Sequence, residues 1–97
     1  MNMQAIMRQA QNLQKEMLKT KDEIDAKIFE YNNSVISIKA NGKKEILNID
    51  IKFSEFDNED LLEINDIVMV GLNSLFKDID NYTESKMSKF SNIPGLF

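Results

Sequence analysis

From Met3 onward the apolar side chains recur at steps of three and four, as Met3, Ile6, Ala10, Leu13, Met17 and Ile24, with Thr20 filling the one polar position of the series. Side chains at these steps stack on one face of an α-helix, and the heptad spacing predicts a helix with a continuous apolar seam. No Gly or Pro interrupts the run before about Ala26, which gives a helix of roughly 24 residues and ~36 Å. That is longer than a small domain easily covers, so part of it is expected to project or to pair. The opposite face carries Gln4, Arg8, Gln11, Lys15 and Lys19 at steps of four, three, four and four, which gathers amides and cations into one stripe. Such a stripe suits a phosphate backbone, and it equally suits a solvated helix face.

Beyond Ala26 the period changes to two. Val35 to Ala40 and Glu45 to Phe53 alternate as strands, and Ile28 to Tyr31 forms a shorter one, so a three-stranded antiparallel meander is expected. Asn41-Gly42 offers the positive φ angles of a tight hairpin turn, and Asn32-Asn33 turns the first pair. In the last strand Leu47, Ile49, Ile51 and Phe53 share one face, while Ile46, Asn48, Asp50 and Lys52 share the other. The first face should lie under the helices, with the second largely wet. Lys43 and Lys44 beside the turn can meet phosphate, or simply guard a strand edge.

A polar link from Ser54 to Asp60 offers Asp57 or Asn58 as a helix cap, with Glu59, Asp60 and Glu63 near the positive end of the helix dipole. These acids lack the glycine and distant glutamate of a calcium loop, so no metal is expected. The helix that follows places Leu61, Ile64, Val68, Leu72, Leu75, Ile79 and Tyr82 on one face, and Ile67, Met69, Val70 and Phe76 widen it. One short sheet cannot cover so broad a surface. The stretch containing Ile67, Val68, Val70, Gly71 and Leu72, continued by Leu75, is therefore the expected homodimer interface, with Gly71 admitting a second backbone. The methionines read as adaptable packing residues and not as a cofactor box.

Composition narrows the chemistry. The 97 residues fit one domain, expected to comprise an arm (1–26), strands (27–53), a helical region (54–90) and a tail (91–97). Cysteine and histidine are both absent, which removes disulfides, thiolate sites and the commonest general base and metal ligand. No Walker loop forms among three scattered glycines, so neither an enzyme nor a cofactor is expected. No run approaches ~20 apolar residues and no signal-like core opens the chain, so a cytoplasmic protein without membrane attachment is expected. The net charge of −4 is unevenly spread. Residues 1–52 hold nine bases and seven acids, whereas residues 53–97 hold three and nine; the first 21 residues alone carry +3.

In order and spacing, the strings "MQAIMRQAQNLQKEM", "ISIKANGKKEILNIDI", "LLEINDIVMVGLNSLFKDI", "SKM" and "PGLF" resemble the YbaB/EbfC nucleoid-associated proteins over nearly the whole chain. The sequence departs from many members in carrying "FEYNNS" where they have a glycine-rich stretch. The resemblance implies an α+β subunit of order α-β-β-β-α, an intertwined homodimer with tweezer-like helical arms, and binding of double-stranded DNA with little sequence preference at the nucleoid. Against that background Arg8, Lys15 and Lys19, with Gln4 and Gln11, become the candidate DNA surface, and Lys43, Lys44 and Lys86 secondary candidates. The alternative is a dimer whose long helix holds a protein partner in replication or recombination, since a heptad seam serves either purpose.

Overall fold

Asn2 opens the first helix by accepting a hydrogen bond at its side-chain oxygen from the Gln4 N–H, 2.9 Å away, which satisfies one of the unpaired donors of the first turn. This helix, α1, runs Met3–Ala26. The computed structural model describes residues 2–91, so the "PGLF" string and the rest of the tail beyond Ser91 lie outside the described residues. The expected seam is present but unevenly covered. Ile24 is only 4% exposed, and Leu13, Met17 and Thr20 are half-buried, whereas Ile6 and Met3 are open to solvent, Met3 at 71%.

Three antiparallel strands follow, β1 (Phe29–Asn32), β2 (Ile36–Ala40) and β3 (Ile46–Ile51), in the spatial order β1-β2-β3. Phe29 stands opposite Ala40 and Tyr31 opposite Ile38, while Ile36 faces Ile51 and Ile38 faces Ile49. The Asn33 side-chain oxygen closes the first turn by accepting from the N–H groups of Val35 and Ile36 at 2.9 and 2.8 Å. In the second turn the Asn41 side-chain oxygen accepts from Lys43 and Glu45. The positive φ there belongs to Lys44, at 63°, and not to the Asn41-Gly42 pair as the sequence suggested. The loop is one residue longer than the tightest hairpin, which moves the left-handed position to its last residue.

Phe53, expected to end the third strand, instead begins a 3₁₀ turn, Phe53–Glu55. Asp57 then caps α2 (Asn58–Leu62): its carboxylate accepts from the Asp60 N–H at 2.8 Å, and the Asp60 carboxylate accepts in return from the Asp57 N–H at 3.2 Å. The helical region is broken at Glu63, whose φ of −103° and ψ of 10° separate α2 from α3 (Ile64–Met87). A final 3₁₀ turn, Ser88–Phe90, buries Phe90 completely.

The core forms where Phe29, Ile36, Ile38 and Ala40 of the sheet meet Leu75 and Ile79 of α3. Gly71 is buried here: a Cβ on it would lie 3.0 Å from Ile38 Cδ1 and 3.1 Å from the Tyr31 ring. Its close approach is thus to its own sheet, where the sequence suggested a second backbone. A further correction concerns β3. The helices cover β1 and β2 but leave β3 open, so Leu47 and Ile49 are exposed along with Ile46. No helix among the described residues is long and apolar enough to cross a membrane.

Candidate nucleic-acid interface

α1 and α3 pack antiparallel at the root of the arm. Glu16 meets Lys89 just beyond α3, at 2.7 Å, and Thr20 lines a groove with Lys86, while Ile24 sits beside Thr83. The N-terminal part of α1 therefore extends past the end of α3, and the Cα atoms span 71 Å in the longest dimension against 18 and 15 Å in the others. Because Leu13, Met17, Thr20 and Ile24 turn toward α3, the helical period directs Gln4, Arg8, Gln11, Lys15 and Lys19 to the opposite side. All five are exposed, and among the described residues Arg8, Lys15 and Lys19 make no ion pair. The stripe ends at Asp22 and Glu23, which border the same shallow depression as Lys15 and Lys19.

The secondary lysines fall on two different flanks. Lys43 and Lys44 ride on the β2–β3 turn, which touches the last turn of α1 through Gly42, near Lys21 and Asp25. Lys44 is already engaged there, its ammonium 2.6 Å from Asp80. Lys86 stands on the other flank, where its ammonium lies 5.5 Å from the centre of the Tyr82 ring. Sequence reading overlooked two residues at that place. Lys27, immediately after α1, holds its ammonium 5.1 Å from the same ring and 5.4 Å from that of Phe29, and Lys89 lines the adjoining groove. Lys27 could have been found by continuing the four-residue steps from Lys19 through Glu23.

The proposed subunit contact is divided by the fold. Gly71 and Leu75 are enclosed in their own core, Ile67, Val68 and Leu72 are half-buried, and Val70 is 56% exposed next to an equally open Met69. Leu61, Leu62 at 87% exposure, Phe53 and the outer residues of β3 add to the uncovered apolar surface of a single chain. Monomers seldom leave so much apolar surface in water.

Six acids and no base lie between Phe53 and Asp66. They cluster around α2 and the start of α3, about 27 Å along that helix from Tyr82. The strongest negative charge is thus held away from the arm.

Residues 1–93 match the YbaB/EbfC DNA-binding family. A nucleoid-associated protein of Ligilactobacillus salivarius (strain UCC118) is 38% identical, over 99% of this chain and 95% of its own length. Nucleoid-associated proteins of Clostridium novyi (strain NT) and Oceanobacillus iheyensis are 35% and 34% identical, over 100% and 99% of this chain and 90% and 97% of their own lengths.

Proposed function

The chain belongs to the YbaB/EbfC DNA-binding family, and from that premise we propose a cytoplasmic, nucleoid-associated protein that binds duplex DNA as a homodimer with relaxed sequence preference. The observation that carries this reading is the unpaired stripe of Arg8, Lys15 and Lys19 on the side of α1 that faces away from the body. Cations so placed release counterions from the phosphate backbone, a force that does not depend on base sequence. Gln4 and Gln11, between them, supply hydrogen bonds to phosphates or groove edges. A dimer doubles the arms, so that individually weak contacts act together.

The dimer uses the open apolar surface described above, with Val70 exposed at its centre and Ile67, Val68 and Leu72 at its edge; Gly71 and Leu75 support it from within. Each arm then emerges from the end of α3 remote from the acids, which reconciles DNA binding with a dimer charge of −8, twice the −4 of one chain.

The test is charge reversal. Arg8→Glu with Lys15→Glu alters two side chains off the packed seam, so helix content and molecular mass persist while DNA affinity falls by orders of magnitude in a gel-shift assay. Wild-type binding should weaken steeply with salt and vary little among random duplexes. A double mutant that binds as tightly as wild type in the same buffer refutes the arm surface. The second reading, a partner protein in replication or recombination, draws on the open seam residues Met3 and Ile6; failure of the wild type to bind any duplex at low salt would favour it.

A further inference from the structure

We infer that Lys27 and Lys86, held over the Tyr82 ring, form a phosphate-binding site at the root of the arm, separate from the outward stripe and gripping the backbone of the same DNA. The inference rests on the DNA-binding reading but concerns a different face. Three elements converge there: Lys27 from the end of α1, Tyr82 and Lys86 from α3, and Lys89 from the 3₁₀ turn after it. Thr20, Glu23, Tyr82, Lys86 and Lys89 line a groove of about 230 Å³ whose walls are largely polar.

The manner in which these cations are held gives the site its character. Lys39, Lys44 and Lys89 are each matched to a carboxylate, of Glu30, Asp80 and Glu16 respectively. Lys27 and Lys86 have no carboxylate within ion-pair distance among the described residues, and instead rest against aromatic rings. A ring's quadrupole positions an ammonium group without cancelling its charge. Lys27 is the more confined, lying near both members of an edge-to-face pair, Phe29 and Tyr82, whose centroids are 5.4 Å apart. Both ammonium groups lie within 5.5 Å of one ring centre, so they stand close enough to repel one another through solvent. An anion between them relieves that repulsion. Their stems are already ordered against the rings, so binding costs little further side-chain freedom.

The carboxylates on hand do not complete the site. Glu16 is committed to Lys89, and Glu23 lines the same groove without an ion pair among the described residues. A phosphodiester, with its exposed anionic oxygens, fits two such donors, and it continues past Glu23 the path begun by Lys15 and Lys19.

The experiment compares two variants with the same change in charge. Lys27→Gln with Lys86→Gln removes the site, whereas Lys52→Gln with Lys77→Gln removes two cations elsewhere. The first pair should weaken binding to a random duplex at least tenfold at moderate salt and make the log–log salt slope shallower by about 1.8, from about 0.9 for each lost phosphate contact. The second pair should leave both nearly unchanged. Equal effects of the two pairs overturn the inference while leaving the DNA-binding reading to the Arg8 and Lys15 test. A second readout does not depend on DNA. The chain has no tryptophan and two tyrosines, so in a Tyr31→Phe background the fluorescence reports Tyr82 alone. Tripolyphosphate should change that emission saturably, and the change should vanish with Lys27→Gln and Lys86→Gln; an unresponsive Tyr82 refutes the site. A response to tripolyphosphate in a protein that binds no duplex would uphold the anion site and refute the DNA reading.

Discussion

Gly42 shows how a residue can be recognised for one reason and required for another. The sequence marks it as a turn glycine beside Asn41, yet the left-handed conformation falls on Lys44. What Gly42 provides is space: a Cβ built on it would stand 1.9 Å from the carbonyl oxygen of Ile24, in the last turn of α1. Gly42→Ala must push the turn and the helix apart, and a loss of about 1–3 kcal/mol is expected from urea denaturation, as for other overpacked sites. Local chemistry in the sequence reveals a turn but cannot reveal that a helix 18 positions earlier returns to lie against it. The same limit hid Lys27. Its companions Tyr82 and Lys86 are more than 50 positions away, and only the antiparallel packing of α1 on α3 joins them.

At the scale of elements, what depends on neighbouring residues was readable. The three- and four-residue spacing located α1 to its last residue, Ala26, and the change to alternation located the sheet. The Asp57 cap was equally legible, because a short acid ahead of an apolar run has few other uses. Asp57→Ala should cost about 1 kcal/mol in thermal or denaturant unfolding, with the rest of α3 intact. The break at Glu63 was not legible, since apolar positions keep helical spacing from Leu61 through Ile64 and Val68 straight across it. Nor could alternation say what lies over β3. Ile49 and Ile51 have the pattern of a buried face, but α3 reaches only β1 and β2, and the cover for the third strand has to come from elsewhere.

For the whole molecule, that missing cover is the argument for two chains. Light scattering at micromolar concentration should give twice the 11.2 kDa of one chain. Val70→Asp should return the mass to that of a monomer while preserving the helical circular dichroism, because this side chain is half open in one chain and becomes an unpaired charge only when a second chain closes over it. The candidate DNA surface was partly visible in advance for a related reason: the stripe on α1 lies within one element, whereas the Lys27–Lys86 pair exists only in the assembled fold. The contact between Gly42 and Ile24 also has a mechanical side. It lies at the fixed end of a lever whose free end, Met3, is about 30 Å away along the helix. A tilt of about 5° at the root carries the tip through nearly 3 Å, about the rise of one base pair. The hairpin thus acts as a stop that sets where the arm points, and small errors there are magnified at the end that reaches for DNA.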